Sequence, residues 1–559
     1  MSSAMVEEST CDTSCRDSPS LFSATSVGTA LASIPLAYFV LLPLLFRLSG
    51  VILAWYLRRR SSGRRALLLS LKQEDQQRFQ KDKVRATQVR DEEGWEKIES
   101  HTTPSSGNGE KVQKDWAGIV GFFHPFCNAG GGGERVLWAA IRATQLRWPN
   151  ALCVVYTGDH EMSKDAMISR IKNRFNIDLH APTISFVYLS SRHWVLASTW
   201  PKFTLIGQSL GSLIMAWDAF HLLVPDIFID TMGYAFAQGF SKFLFPRIPI
   251  CAYVHYPTIS TDMLESLDPS SPLGSRGLNA GQGTGMRGKL KKAYWQLFAK
   301  LYSRVGSTID VVMTNSTWTQ AHIKKLWGPY RPTGPKTNPI TVVYPPVAVE
   351  ELENAIEITR ESEKKREKII LSIAQFRPEK DHTHIIQSFA KFVKSGSPVA
   401  KDTRLVLIGS VRDDGDSKRV YQLRLLVNEL GVKDRVHFHL DASWPEVLDW
   451  LSRASVGVNG MWNEHFGIGV VEYQAAGLIS VVHSSGGPKL DIVVDIDGKP
   501  TGYHAVTAEE FAQGFEKALS EPNPLAIRQR ARKSALRFTE EEFARKWIDQ
   551  MEKLVAMVT

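Results

Sequence analysis

The chain has 559 residues, a formal net charge of +9 and a sequence pI near 9.1. Its hydrophobic fraction of 43% excludes a disordered chain. Its length exceeds that of domains built on a single hydrophobic core, so two large lobes are expected. The positive charge favours anionic partners, but no nucleic-acid-binding motif is present, so we expect no nucleic acid partner.

The first predicted element is a membrane anchor. Residues 27–46 carry no charge, and twenty residues at helical rise cross a hydrocarbon core of about 30 Å. No basic segment precedes them, which favours a retained anchor at residues 27–57 over a removable signal peptide. Arginines cluster directly after it, at positions 58, 59, 60, 64 and 65. The positive-inside rule then predicts a lumenal tail at residues 1–26 and a cytosolic remainder.

Cysteine usage agrees with a cytosolic, reducing compartment. There are five cysteines, which are too few and too scattered for a disulfide framework. Cys11 and Cys15 could pair or bind a metal, but no second ligand pair accompanies them, so free thiols are the simpler interpretation. Residues 58–114 are basic and Gln-rich and then Ser- and Gly-rich, which predicts a juxtamembrane helix followed by a flexible tether.

Beyond the tether, short apolar runs alternate with amphipathic stretches, the pattern of buried parallel strands joined by helices. The pattern breaks near residues 340–349 and then starts again. We therefore predict an N-terminal Rossmann-like lobe at 115–345, a connection at 346–366, a C-terminal Rossmann-like lobe at 367–535 and, at 536–559, a helix packing back toward the N-terminal lobe. The cleft between the lobes would face the carboxyl ends of both sheets, where such folds bind ligands.

The amphipathic helix pattern at residues 288–306 is basic on one face and aromatic on the other. Two interpretations of this helix fit, packing against the sheet or contact with a membrane surface.

A glycine run in the first lobe leads straight into a helix pattern. It comprises Gly130, Gly131, Gly132 and Gly133. The run matches neither G-x-G-x-x-G nor a P-loop, and it fits both a close approach of a phosphate and a tight strand-to-helix turn. His124 and His255 each end a predicted strand, where a structural hydrogen bond and the lining of a site are both possible.

The most specific motif, at residues 463–493, reads NEHFGIGVVEYQAAGLISVVHSSGGPKLDIV. Phe466 and Gly467 open a predicted helix whose free backbone N–H groups can bind a phosphate or sugar oxygens. We place Glu464 at the mouth of this helix and Glu472 about two turns along the same face. Carboxylates so placed suit the hydroxyls of a sugar and a ribose, and an incidental acid pair would leave the flanking glycines unexplained.

A second motif, SIAQFRPEKDHTHIIQSF, carries Arg377 and Lys380 just after the first strand of the second lobe. Basic residues in a loop are often merely solvated. At a strand end, however, they can neutralise a diphosphate leaving group. His382 and His384, in the same motif, lack metal-ligand spacing with any partner.

Together these motifs resemble the retaining GT-B glycosyltransferases of family four, from about residue 116 to the C-terminus. Within that family they look closest to the alpha-1,2-mannosyltransferases of the dolichol pathway. The resemblance implies a GT-B fold of two Rossmann-like lobes, preceded here by one transmembrane helix. It also implies transfer of mannose from GDP-mannose to dolichol-diphosphate-linked Man3GlcNAc2 and then Man4GlcNAc2, on the cytosolic face of the endoplasmic reticulum membrane, in N-glycan precursor assembly.

The same resemblance implies roles for individual residues. Glu464 would contact the transferred mannose and Glu472 the donor ribose, while Arg377 and Lys380 would hold the diphosphate. Backbone amides at Phe466, Gly467 and Ile468 would contact the donor, the glycine run with His124 would border the diphosphate and acceptor, and His255 would line the reacting centre. Gln375 stands where many members have an arginine, which leaves open whether Arg377 takes over that charge.

The mechanism is open between two routes, a carboxylate nucleophile and a reaction on one face of the sugar in which the departing phosphate accepts the proton. On the second route Glu464 orients the sugar, and we expect no cofactor and no metal. The implied partners are GDP-mannose, the dolichol-diphosphate oligosaccharide, the membrane and other early dolichol-pathway mannosyltransferases. The alternatives are another membrane-anchored GT-B transferase that uses a UDP-sugar, a non-catalytic GT-B scaffold, and a nucleotide-sugar epimerase of similar two-lobed fold, which would need no membrane anchor.

Overall fold

The structure is a computed structural model that describes residues 41–92, 115–271, 273, 282–335 and 337–559. The predicted lumenal tail, the first part of the predicted anchor and the predicted tether beyond residue 92 lie outside these residues. Within the described ranges, no helix is both long enough and apolar enough to span a bilayer.

The first described helix, α1 (Leu42–Glu92), runs without interruption for 51 residues. From residue 57 onward it packs along the N-terminal lobe. Arg65 pairs with Asp226, with 2.7 Å between Nη2 and Oδ2, and Phe79 meets the His180 ring edge-on at 4.8 Å. The segment that the sequence predicts as a juxtamembrane helix is therefore bound to the lobe through specific contacts.

The N-terminal lobe is built on one parallel sheet. Its strands are β1 (Ile119–Phe123), β2 (Leu152–Thr157), β3 (Ile184–Tyr188), β4 (Ile227–Asp230), β5 (Ile250–Val254), β6 (Val311–Thr314) and β7 (Thr341–Val342). The order across the sheet is β3-β2-β1-β4-β5-β6-β7, and most strand residues are fully buried, as apolar runs between two helical layers require. The helices of this lobe are α2 (Gly132–Arg147), α3 (Lys164–Phe175), α4 (Thr204–Leu222), α5 (Ala235–Leu244), α6 (Thr261–Ser266), α7 (Gly285–Gly306) and α8 (Thr317–Trp327).

The C-terminal lobe repeats this design with a second parallel sheet. Its strands are β8 (Glu367–Ile373), β9 (Arg404–Gly409), β10 (Val436–Leu440), β11 (Ala454–Asn459), β12 (Ile479–His483) and β13 (Gly502–Ala505), in the order β10-β9-β8-β11-β12-β13. The helices after β7 are α9 (Val349–Ala355), α10 (Arg360–Lys365), α11 (His382–Lys394), α12 (Asp414–Glu429), α13 (Trp444–Arg453), α14 (Ile468–Ala476), α15 (Ala508–Leu519), α16 (Pro524–Ala535) and α17 (Glu540–Val558).

The last helix returns to the first lobe. Trp547 of α17 is fully buried in the N-terminal core, where its ring stacks on Phe122 of β1 at 6.3 Å. Its indole Nε1 donates a hydrogen bond to Thr144 Oγ1 on α2 at 3.1 Å. The apolar face of α7 also packs inward, through Trp295 and Phe298. The packing interpretation of α7 therefore holds for its aromatic face.

Strand order reverses between β1 and β4 in the first sheet and between β8 and β11 in the second. Ligands of open α/β folds bind at such reversals, outside the carboxyl ends of the strands. The glycine run follows β1, Arg377 and Lys380 follow β8, and Glu464 follows β11. The topology therefore places three separate motifs at the carboxyl ends of the strands, where the ligand is expected to bind.

Candidate active site

The glycine run is both a turn and a helix start. Gly130 has φ +77°, a conformation that favours glycine, and Gly131 caps α2, whose first turn begins at Gly132. The Gly131 N–H donates to Glu134 Oε2 at 2.6 Å, so an acid three positions later satisfies one of the free amides at the helix start. The run is therefore held locally, without help from the other lobe.

Two histidines and Glu134 meet beneath this run. His124 is fully buried, with Nδ1 2.7 Å from Thr231 Oγ1 and Nε2 3.6 Å from Glu134 Oε1. Burial raises the pKa of Glu134, but hydrogen bonding and attraction to His124 outweigh it, and the net pKa is lowered. Burial lowers the pKa of His255 to about 4, and its Nε2 has no hydrogen-bond partner among the described residues. A Cβ added to Gly133 would lie 3.8 Å from that nitrogen.

His255 lies beside the glycine run, and its lowered pKa keeps the ring neutral at neutral pH. His124 Nε2 also has no hydrogen-bond partner among the described residues, although it lies 3.6 Å from Glu134 Oε1. His124, predicted to border the diphosphate, has no exposed surface and acts on the run through Glu134.

Glu464 lies in the loop between β11 and α14 and is 9% exposed. Its Oε2 accepts hydrogen bonds from Lys380 Nζ at 2.5 Å and from Asn459 Nδ2 at 3.3 Å. Burial raises the pKa of Glu464, but the charge and hydrogen bond of Lys380 outweigh it, so the net pKa lies below the usual range. Glu464 is therefore ionised at neutral pH, and two residues predicted from different motifs are in direct contact.

Helix α14 begins at Ile468 after Gly467, whose φ of +106° ends the preceding loop. Glu464 is therefore in the loop, whereas Glu472 is on the helix. Glu464 lies at the mouth of this helix, as predicted. Glu472 lies about one turn past the helix start and not two helical turns from Glu464, because the chain is not helical before Ile468. Burial raises the pKa of Glu472, and no described residue hydrogen-bonds its half-buried carboxylate.

The structure does not bring Arg377 to Glu464. Its Nη1 lies 3.7 Å from Glu379 Oε1, and its side chain lines a cavity of about 190 Å³ together with His382 and Arg419. Among the described residues, no group accepts a hydrogen bond from the buried Arg377 Nε. Lys380 is therefore the cation at the Glu464 carboxylate in this arrangement.

The GGP motif supports the Glu464 loop from behind. The Gly487 N–H donates to the Glu464 carbonyl at 2.8 Å, and Gly486 has φ +65°. A Cβ on Gly486 would lie 2.2 Å from the Glu464 carbonyl oxygen, and one on Gly487 would lie 2.5 Å from that of Phe466. The Phe466 side chain is buried in the core, so only its backbone is available at the site.

The two lobes approach each other at the glycine run. A Cβ on Gly132 would lie 2.4 Å from Ile468 Cδ1, the first helical residue of α14. The glycine run therefore faces the start of α14, and a side chain at Gly132 would collide with the opposite lobe.

Several residues of the site were missed from the sequence. Glu134 had a signal, since an acid three positions after a helix cap is the capping-box pattern. Asp491 had none. Its carboxylate accepts from the Thr317 N–H at 3.0 Å and from Thr317 Oγ1 at 2.8 Å, which joins the two lobes across 174 positions of sequence.

In the part of the chain that the structure describes, no group of three or more His, Cys, Asp or Glu is placed to hold a metal ion.

Comparison with known proteins decides the family. The protein-family model described as "ALG11 mannosyltransferase N-terminus" matches residues 117–327, and the family model "Glycosyl transferases group 1" matches residues 354–537. A Neurospora crassa protein named GDP-Man:Man(3)GlcNAc(2)-PP-Dol alpha-1,2-mannosyltransferase is 67% identical over 540 residues, covering 95% of this chain and 97% of the relative. The chain belongs to this mannosyltransferase family. Relatives of the same name from Mus musculus and Homo sapiens are each 44% identical, covering 78% of this chain and 87% of theirs.

Solved structures share the fold of the family at low identity. An alpha,alpha-trehalose 6-phosphate synthase from Burkholderia multivorans has a TM-score of 0.56 and 12% identity, covering 79% of this chain and 100% of its own. Anabaena HepE in complex with UDP and glucose has a TM-score of 0.51 and 14% identity, covering 78% and 99%. The predicted GT-B fold of two parallel-sheet lobes and the predicted family are thus confirmed.

Proposed function

We propose that the chain transfers mannose from GDP-mannose to Man3GlcNAc2 on dolichol diphosphate in alpha-1,2 linkage, and then to the Man4GlcNAc2 product. The names of its relatives support the substrates and the linkage. The observation that carries the proposal is the Lys380–Glu464 ion pair, which lies at the carboxyl ends of β8 and β11 and on the side of α14 that faces the glycine run.

Donor binding needs positive charge and free hydrogen-bonding groups. The Lys380 ammonium has three N–H donors, so it can keep its bond to Glu464 and still contact a phosphate oxygen. The free amides at the start of α14 suit the same diphosphate, because helix N-termini attract anions. No described residue hydrogen-bonds the Glu472 carboxylate, which suits it to bind ribose hydroxyls.

We infer that transfer takes place on one face of the sugar, with the ionised Glu464 orienting the mannose. Glu464 is ionised and therefore accepts hydrogen bonds from mannose hydroxyls and does not donate a proton. In this route the bond from the anomeric carbon to the diphosphate oxygen breaks while the acceptor oxygen bonds to that carbon. The acceptor's proton passes to the departing phosphate, and Lys380 stabilises the negative charge that develops there.

We also infer that residues 27–57 anchor the enzyme in the endoplasmic reticulum membrane, with both lobes in the cytosol. The uncharged stretch at 27–46 and the arginines that follow it support this topology. Protease treatment of sealed microsomes tests it. A tag at the C-terminus should be digested without detergent, and a protected tag would reverse the orientation.

The transfer reaction is tested with the purified full-length chain and a trimannosyl lipid-linked acceptor. GDP-mannose, UDP-glucose and UDP-N-acetylglucosamine are offered in parallel. We expect turnover only with GDP-mannose and a product that an alpha-1,2-mannosidase shortens. Turnover with a UDP-sugar alone would make the chain a different GT-B transferase. GDP binding without any turnover would make it a scaffold.

A further inference from the structure

The loop that carries Glu464 is held from both lobes. On its own side, Ser485 Oγ accepts from the Asn463 N–H at 2.8 Å, and the Gly487 N–H donates to the Glu464 carbonyl at 2.8 Å. These bonds constrain the backbone. They leave the side chains on both sides of Glu464 to find their partners elsewhere.

Both neighbours of Glu464 bind the N-terminal lobe. The Asn463 Nδ2 donates to Asp262 Oδ2 on α6 at 2.6 Å. The His465 ring stacks on Tyr256, with centroids 4.1 Å apart, and on Trp318 of α8, with centroids 5.2 Å apart. The interplanar angles are 28° and 27°, so the imidazole lies nearly flat against both rings.

The residues of the N-terminal lobe that bind this loop also contact His322. His322 Nε2 lies 3.7 Å from Asp262 Oδ2, and its Nδ1 lies 2.8 Å from Thr261 Oγ1. The His322 ring also meets Trp318 at 4.2 Å. Since Thr317 at the start of α8 binds Asp491, α6 and α8 offer one connected surface to the C-terminal lobe.

We propose that Asp262 and His465 are positioning residues for Glu464, so that the N-terminal lobe sets the geometry of the sugar-orienting carboxylate. The inference rests on the proposed function. Its physical basis is that a carboxylate placed wrongly by about 1 Å loses much of its effect on a transition state. Separation of the lobes breaks the Asn463–Asp262 hydrogen bond and the His465 ring stack together, so Glu464 is positioned for transfer only while the lobes are in contact.

The test compares deletion variants with conservative ones in the full-length chain. Asp262→Ala and His465→Ala should lower kcat for mannose transfer by about tenfold to a hundredfold. The Kd for GDP, which lacks the sugar, should stay within about twofold of wild type by calorimetry. Asp262→Asn retains an accepting oxygen and His465→Phe retains a flat ring, so both should recover most of kcat.

The matched control is Glu552→Gln, which breaks the Arg147–Glu552 ion pair of 2.9 Å between α2 and α17. It should leave kcat and the Kd for GDP unchanged. If Asp262→Ala does not fold, Asn463→Gly removes the same hydrogen bond and tolerates the φ of +52° at that position.

Full kcat in both alanine variants would overturn the inference. So would an equal loss of GDP affinity that the conservative variants do not recover, because that pattern describes a structural role. Wild-type protein without transfer from GDP-mannose would instead remove the proposed function. Active wild type with equally active variants would remove only this inference.

Discussion

The two loops that face each other across the cleft are held in opposite ways. The glycine run presents backbone and is fixed within its own lobe by the Gly131–Glu134 cap. The loop of Glu464 presents a charged side chain, and both lobes hold it. His255, beside the glycine run, is neutral at neutral pH, whereas Glu464 is ionised.

The two loops form two walls of the cleft, the glycine run the glycine wall and the loop of Glu464 the charged wall. The difference between them follows from what each wall contributes to binding. A backbone wall needs only the absence of side chains, which a local turn can supply. A carboxylate that orients a sugar needs a defined direction, and a loop without secondary structure acquires one through contacts from several sides. The glycine wall should therefore respond to added volume, and the charged wall to lost contacts.

The largest effect is expected on the charged wall. Glu464→Gln keeps the shape of the side chain but removes its charge and its ion pair with Lys380. We expect kcat for mannose transfer to fall about a hundredfold to a thousandfold, with little change in melting temperature. Steady-state kinetics and thermal unfolding measure both. Retention of full activity would show that the carboxylate is not part of the reaction.

Gly486→Ala tests how closely the backbone of the charged wall is supported. The new Cβ would lie 2.2 Å from the Glu464 carbonyl oxygen at a φ of +65°. We expect a loss of about 3 kcal/mol in the free energy of unfolding, from backbone strain plus the clash. Gly498→Ala is the matched control, with φ +69° and nothing within 4 Å of its Cβ. Its loss should be about 1 kcal/mol, and equal losses would remove the clash from the explanation.

Added volume should affect the glycine wall through the opposite lobe. The Cβ introduced by Gly132→Ala would meet Ile468 Cδ1 at 2.4 Å. We expect transfer to fall about tenfold while stability changes by less than about 1 kcal/mol. Ile468→Val removes that terminal carbon, so the double variant should recover activity. Steady-state kinetics of a double-mutant cycle, which comprises wild type, both single variants and the double variant, test this contact. Additive losses of activity would contradict a direct contact.

The smallest effect concerns pH. The pKa of His255 is about 4 in the folded chain, below its unfolded value, so the unfolded chain binds more protons as pH falls below about 6.5. Stability should therefore decline from pH 7 to pH 5. Glu464, whose folded pKa is lowered, also contributes to the free energy of unfolding. That contribution is lost only at pH values below the ordinary pKa of a glutamate. In urea unfolding, His255→Asn should reduce the decline by about 1 kcal/mol, and an unchanged decline would show that His255 is not its source.

Much of the fold could be predicted because its signals are local. Apolar runs of strand length, broken near residue 340, indicated two parallel-sheet lobes, and the strands occupy those runs. The start of α14 at Gly467 and its end at Gly477 were equally local, since both glycines have positive φ. Glu464 lies at the mouth of α14 as predicted, but the two helical turns expected between it and Glu472 are not formed, because the helix begins four residues after Glu464.

The sequence by itself determined the fold class, the family and the motifs that supply charge to the cleft, because each depends on neighbouring residues and their spacing. Only the tertiary structure decided which of these residues meet. Lys380 contacts Glu464 and Arg377 does not, although both lie in one short motif. The contacts that Asp262 and Tyr256 make with the two neighbours of Glu464 likewise left no signal in the sequence. Contacts across about 200 positions leave no local pattern and arise only when the two lobes pack.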